Sequence, residues 1–284
     1  MSGKLAFDAG EITLGANDLT VERFATVEMN ADSRILTDGI GSFGTQGGLD
    51  LRTPLVTGSG ASRYTIASDG ALRLIRPFGG GGGTAGGLGA DLTLRGATVE
   101  ANSDISLPSG QLTLRATTGN LTVGTTGPAR LDLGGVTRDF IDISRHTDGG
   151  IANLVSDAGS VTVGGNAFVD VSAPAGGGDA GAIHVSAPTG AFTLAGTILG
   201  SAAAGQRSGS FSLDAGTVAG GSLTTTDTLL NNGQFNESRD YRVRTGNLTI
   251  GGLARARTYR AAADSGSITV TGTIDASGET GGDI

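Results

Sequence analysis

Six of the chain's 18 arginines fall between positions 239 and 260, together with two of its three tyrosines. They are Arg239, Tyr241, Arg242, Arg244, Arg255, Arg257, Tyr259 and Arg260, and within that span only Asp240 opposes them. The chain as a whole is acidic, with a formal net charge of −8, so the cluster is a local field of opposite sign. Planar guanidinium groups pair with sulfate, carboxylate or phosphate through two parallel hydrogen bonds, and tyrosine rings stack on sugars. The grouping therefore fits an anionic glycan. Arg242 and Arg244 flank Val243, which puts both on one face of a strand. The same arginines can also pair with acidic side chains on neighbouring strands, and the sequence leaves both readings open.

A second group, Arg138-Asp139-Phe140-Ile141-Asp142-Ile143-Ser144-Arg145-His146, holds residues of the types that polysaccharide-cleaving enzymes use. A regular strand would place Phe140, Asp142 and Ser144 on one face and Asp139, Ile141, Ile143 and Arg145 on the other. That separates the two carboxyl groups, whereas inverting glycoside hydrolysis needs a pair about 6.5–9.5 Å apart across one water. A loop or edge is the default for this segment. His184, in Gly181-Ala-Ile-His-Val185, sits between two inward aliphatic residues and reads as a solvent-facing position; with His146 far away in sequence, no metal site is assigned. Gly39-Ile-Gly-Ser-Phe-Gly44 matches the dinucleotide fingerprint in letters, but the residues after it cannot form the helix that would hold a pyrophosphate. Gly176-Gly-Gly-Asp179 has the form of a single calcium nonapeptide without the repetition that encircles an ion. Asn120, Asn236 and Asn247 head glycosylation sequons, although Asn120 and Asn247 also fit corners where left-handed backbone is wanted. No catalytic residue and no cofactor is assigned.

The elements that would carry these residues announce themselves as a short module, Gly-x-apolar-Thr-apolar, in which alternation sends two aliphatic side chains to one face of a strand. Clear copies run from Gly10 to Leu14, Gly110 to Leu114, Gly119 to Val123, Gly159 to Val163, Gly190 to Leu194, Gly246 to Ile250 and Gly266 to Val270. The steps from Leu72 to Leu92 to Leu112, from Leu248 to Ile268 and from Phe192 to Phe211 all give a period of about 20 residues. Leu112 and Leu121, or Ile183 and Phe192, are separated by about half that and read as two strands of one coil. Such a period is the signature of stacked coils, and about 14 coils at about 4.8 Å each would make a rod of roughly 65–70 Å. The fold class expected is all-β: one continuous right-handed parallel β-helix over residues 1–284. Irregular insertions are expected near 30–68, 125–157 and 226–264, where the period breaks. The Gly79–Gly83 run reads as a loop between coils.

Composition agrees. The 52 glycines and only 4% aromatic residues rule out a single bulky core, yet there is no collagen period and Val, Ile, Leu and Thr recur throughout. Helix-period patterns are nearly absent. The absence of cysteine excludes disulfides and Cys-ligated metals, and the acidic balance argues against nucleic-acid partners. No apolar run reaches the length of a membrane span, and Met1-Ser-Gly-Lys-Leu5 is not an export signal, so any such signal is expected outside this stretch. Thr271–Ile284 echoes Val169–Ile183, where the last Ile opens a new strand; the expectation is a fragment that stops as another coil begins.

The strand modules and the corner Ile274-Asp-Ala-Ser-Gly-x-x-Gly-Gly-x-Ile284 resemble the filamentous haemagglutinin family of large exoproteins, over nearly the whole chain. The resemblance implies a passenger of two-partner secretion, carried across the outer membrane of a Gram-negative bacterium by a dedicated barrel transporter and displayed at the surface as an adhesin. The Asn-Pro-x-Gly type of motif of the family's amino-terminal secretion domain is absent, so the chain resembles the interior shaft. The function expected on this basis is a non-enzymatic, structural or adhesive shaft segment, with host or environmental glycans as candidate partners. An enzyme acting on polysaccharide on the same scaffold and a self-assembling fibre element are the alternatives.

Overall fold

A computed structural model of the chain describes residues 2–78, 83–277 and 282–284. It is a right-handed parallel β-solenoid of about 11 turns with extra loops and strands. At about 4.8 Å per turn the stack is roughly 50 Å long, shorter than the 14 coils expected.

Register partners fall into three sets, so each coil has three faces. On face one, Leu5, Val27, Leu49, Leu72, Val99, Leu121, Val161, Phe192 and Val218 lie one above another. Face two stacks Ile12, Ile35, Val56, Ile105, Leu131, Val169 and Ile198. Face three carries two inward ladders, one of them Leu19, Phe43, Ile66, Leu94, Leu114, Leu154, Val185, Leu213 and Tyr241. Apart from the outermost Leu5, Ile12 and Leu19, these side chains are buried. Long strands such as Lys4–Leu14, Thr26–Thr37 and Ala182–Leu194 bend from one face to the next and join the faces into one 22-stranded sheet.

Coil length is less regular than the spacing of modules suggests. Leu92 does lie over Leu112 and Leu248 over Ile268, as the period requires. Leu72, however, pairs with Val99 on face one, while Leu92 pairs with Tyr64 on face three, so the Leu72–Leu92 spacing joins two faces of one turn. Phe192 and Phe211 likewise belong to different faces; their rings meet across the core at 6.0 Å.

The stretch 30–68 is built of regular strands, Thr26–Thr37, Ile40–Thr45, Gly48–Arg52, Leu55–Gly58 and Arg63–Ser68, all in the main sheet. Its inward positions include Thr45, Thr53 and Ser68, which are buried because their hydroxyls donate to the carbonyls of Gly47, Leu55 and Gly47. The 125–157 stretch does contain an extra element, an antiparallel hairpin of Thr137–Phe140 with Ile143–His146. The 226–264 stretch holds part of an α-helix, Thr224–Asn232, and then returns to strands. Residues 79–82 of the glycine run lie outside the described residues; Gly86 and Gly87 beyond it donate their N–H groups to Thr57 Oγ1 and the Gly58 carbonyl.

Glycine is used at corners mainly for close approach rather than for left-handed backbone. Gly119, Gly159 and Gly190 stack, and a Cβ on Gly190 would lie 2.0 Å from the Gly159 carbonyl oxygen. None of the three has positive φ. Asn120 and Asn247 are not left-handed either; their Oδ1 atoms accept from the backbone N–H of Ser160 and Ser267 in the next coil.

Leu112 and Val163 are each covered on both sides by their ladders, Leu92 with Ala152 and Val123 with Leu194, so an unpaired charge there has no escape. Leu112→Asp or Val163→Asp should cost at least about 3 kcal/mol. Thermal denaturation followed by circular dichroism should show a large fall in midpoint or loss of the β signal; an unchanged midpoint would contradict the assigned register.

Candidate binding surface

Strand alternation divides the arginine–tyrosine cluster into two populations. In Ser238–Val243, residues 239, 241 and 243 point inward. Arg239 continues the ladder of Ile183 and Phe211 and is followed by Tyr259, and its side chain is 0% exposed. Its counter-charge is Asp227, also 0% exposed, on the helix that takes the place of a face-two strand between Thr197–Leu199 and Leu253–Arg255. Arg239 Nη1 donates to Asp227 Oδ1 at 2.9 Å and to the Asp227 carbonyl at 3.2 Å, Nη2 to Asn231 Oδ1 at 2.7 Å, and Nε to the Phe235 carbonyl at 3.0 Å. The Tyr241 and Tyr259 hydroxyls donate to the two carboxylate oxygens of Asp227 at 2.7 and 2.9 Å. Phe192, Phe211, Tyr241 and Tyr259 form an aromatic stack with centroids 5.4–6.1 Å apart.

The expectation that Arg239, Tyr241 and Tyr259 form part of a glycan surface is therefore corrected. The tyrosine rings are inside the rod and cannot stack on a sugar, and Arg239 is committed to Asp227. The outward arginines are largely tied to acidic residues of adjacent coils: Arg242 to Asp264, Arg244 to Asp214, Arg257 to Glu237 and, at 3.7 Å, Arg255 to Asp275. Arg260 stacks directly beside Asp240 and has no ion pair among the described residues. Arg242 and Arg244 do share a face, as their spacing indicated, but each holds its own carboxylate. The hydrogen bond from Arg244 keeps the Asp214 carboxyl below the ordinary range.

The second sequence candidate does not form a groove. The chain turns at Ile141-Asp142, so Asp139 faces Ser144 across the hairpin and accepts its hydroxyl at 2.5 Å, while Asp142 sits in the turn. The His146 ring packs over Gly176 and Gly177, and its Nδ1 meets Thr137 Oγ1 at 3.0 Å. Arg138, Asp139, Asp142 and His146 thus do not converge. His184 is an outward rung of face three, stacked between Asn153 and Ser212, with Nδ1 2.7 Å from Ser212 Oγ. The shallow groove around it partly desolvates the imidazole and lowers its pKa. Asp179, in the calcium-like segment, is bound to Arg207. Among the described residues no group of three or more His, Cys, Asp or Glu is placed to hold a metal.

A concave feature with mixed chemistry that sequence reasoning missed is a cleft of about 500 Å³ on the outside of face one. Its floor is two outward rungs, Arg73 over Glu100 and Ile75 over Asn102. Pro77 with Phe78 line it, as does Pro128, and Phe78 is fully exposed. Asn102 is saturated, donating to Glu100 Oε1 and Thr126 Oγ1 and accepting from the Thr126 and Gly127 N–H groups. Arg73 uses Nε on Asp50 and Arg76 uses Nη2 on Asp104, which leaves each guanidinium with further donors, and Glu100 keeps Oε2 as an acceptor. An apolar wall beside several donors and one free acceptor suits a hydroxylated, uncharged ring. Register alone brings these residues together; no motif signals them.

Comparison of the chain with protein-family models, with curated proteins and with solved structures found no match. The parallel β-solenoid therefore stands on its own geometry, without a family attached.

Two outcomes test the buried cluster. Asp227→Asn, which strands the Arg239 charge in the core, should cost about 3–5 kcal/mol by urea unfolding, while Asp227→Leu combined with Arg239→Met should recover most of that loss. Burial raises the pKa of Tyr64, Tyr241 and Tyr259, helped by the charge of Asp18 at the first and of Asp227 at the other two. Folded-state values above the unfolded value of about 10 give stability that is complete below that pH and lost above it. Ultraviolet titration should therefore show little tyrosinate until the β signal collapses; a smooth titration centred near pH 10 with the fold intact would refute the burial.

Proposed function

We propose that this chain is a shaft segment of a large exported surface protein of the filamentous haemagglutinin type, with a structural and adhesive role. The observation that carries the reading is the continuous parallel stack, in which apolar ladders run through the interior and charges outside are neutralised from coil to coil. Arg130 between Asp132 and Asp170, Arg207 on Asp179 and Arg115 on Asp157 repeat that pattern along the rod. Such a body resists bending because strands of successive coils are hydrogen-bonded along its axis, and it offers length without a large core. The strand module and the Ile274–Ile284 corner support the family, and export through an outer-membrane barrel partner follows from that resemblance. Residues 278–281 of that corner lie outside the described residues.

Within this reading the adhesive surface is the cleft at Arg73, Phe78 and Glu100, and its ligand is a neutral saccharide. Arg73 and Arg76 are each balanced by an aspartate, and Glu100 adds a negative charge, so a uronate or sulfate is disfavoured. Stacking of a sugar ring on Phe78 with hydroxyls to Glu100 and the guanidinium donors would give the weak, repeatable binding of a surface adhesin.

A glycan array probed with the purified chain, with product release followed in the same wells, tests this. Neutral oligosaccharides should be retained, and Phe78→Ala or Glu100→Gln should reduce retention at least about tenfold. Arg242→Ala with Arg244→Ala should change nothing. Retention of acidic glycans lost in that arginine variant would move the site to the outward arginines, and cleavage would replace the adhesive reading with an enzymatic one.

A further inference from the structure

The hairpin 137–146 breaks three local rules in one short excursion. Ile141, a β-branched residue, has φ of +29° at the turn, where glycine is normally required. Arg138 and Arg145 stand directly opposite each other, a like-charge pair that costs stability. Ile141 is fully exposed, and Phe140 and Ile143 are about half exposed. Among the described residues neither arginine has an ion-pair or hydrogen-bond partner, and no element covers the tip.

Alternation sorts the hairpin into two unlike faces. Thr137, Asp139, Ser144 and His146 share one face. It is internally bonded, Ser144 to Asp139 and Thr137 to His146, and His146 rests on the Gly176–Gly177 backbone. The other face carries Arg138, Arg145, Phe140 and Ile143, with Ile141 at the tip. The acidic residues are kept off that face: Asp139 is on the opposite side and Asp142 is in the turn. The strands run about 13 Å from base to tip, and the arginine pair is the second rung, about 3 Å beyond the base pair Thr137–His146.

The geometry points to a lipid surface bearing phosphate groups as the partner of this face. The apolar tip enters the interfacial layer, and the two arginines, opposite each other across the hairpin, meet phosphates behind it. Ile141, at the tip, combines positive φ with full exposure, and it gains most from leaving water. This contact is independent of the saccharide cleft, which lies on another part of the rod, and it would hold the shaft alongside a membrane rather than bind a soluble ligand.

Flotation of the whole chain with phosphatidylglycerol–phosphatidylcholine vesicles, against pure phosphatidylcholine vesicles, reads the contact directly. The chain should float with the anionic vesicles and less so as salt rises. Phe140→Ser with Ile141→Gly, and separately Arg138→Gln with Arg145→Gln, should each weaken binding at least about tenfold. Both variants alter an exposed insertion, and an unchanged thermal midpoint would show the rod intact. The proposal is overturned if the unmodified chain stays unbound, if it floats equally on pure phosphatidylcholine, or if either variant floats as well as the parent. A protein partner captured through this hairpin without vesicle binding would also overturn it.

Discussion

Everything in this chain answers to one constraint: each strand must lie parallel and in register on the strand one coil earlier, about 4.8 Å away. Hydrogen bonds then run along the axis, and side chains of equivalent position stack on one another whatever their chemistry. Apolar positions become ladders such as Ile12 to Ile198. Small positions become stacks such as Gly119, Gly159 and Gly190, where the carbonyl of one coil occupies the space of a Cβ in the next. Charged positions commonly pair with the next coil or with a residue two along the same strand, as where Asp50 lies between Arg52 and Arg73, and Arg130 between Asp132 and Asp170, although Arg95, stacked on Arg115, has no ion pair among the described residues. Length is free under this rule. Leu112 meets Leu92 on one side and Ala152, twice as far along the chain, on the other, and the excess leaves the stack as the hairpin.

The helix Thr224–Asn232 is the place where the rule is suspended and its cost is visible. Without a strand on face two, the coil loses its ladder bonds there, and the interior must be filled from another direction. Leu223, Asp227 and Leu230, spaced as one helical face, turn inward. A buried carboxylate is tolerable only when its oxygens are filled, and the neighbouring strands supply that: Arg239, Tyr241 and Tyr259 all sit at inward positions and all donate to Asp227. The ion pair gains little over a hydrophobic filling of equal volume, but it matches one helix to two particular strands. The polar cluster thus fixes register where the backbone ladder cannot.

Legibility followed the same logic. The strand modules and the parallel stack could be read because alternating aliphatic residues report a ladder directly. The coil length could not, since inward residues on successive faces of one turn can be spaced like a full repeat, and Leu72 with Leu92 mimics one. The strands of 30–68 were harder to read because Thr45, Thr53 and Ser68 occupy inward positions and satisfy themselves on nearby carbonyls, breaking the aliphatic period between Phe43, Leu49, Val56 and Ile66. The helix was hidden by Asp227 in the middle of its apolar stripe. The arginine cluster misled for a related reason: charge marks the surface in most proteins, whereas here alternation, which places Arg239 with Tyr241 and Val243, outranked charge. The cleft at Arg73 and Glu100 carried no linear signal at all, because its residues come from successive coils.

A body organised this way has a predictable geography of recognition. Along the regular faces, many outward residues are already engaged with the coil above or below, and a ligand there competes with partners held at fixed spacing. Free donors, acceptors and apolar surface arise where the chain leaves the ladder: where Pro77 and Phe78 turn away from the stack, and at the hairpin, whose strands pair only with each other. The hairpin's departure leaves its neighbours paired, since Gln111–Ala116 still stacks on Ile151–Ser156, whereas the helix costs its coil the face-two ladder. The solenoid can therefore vary its contacts at corners while the ladders stay constant, and binding chemistry collects at the exits from the fold rather than on its faces.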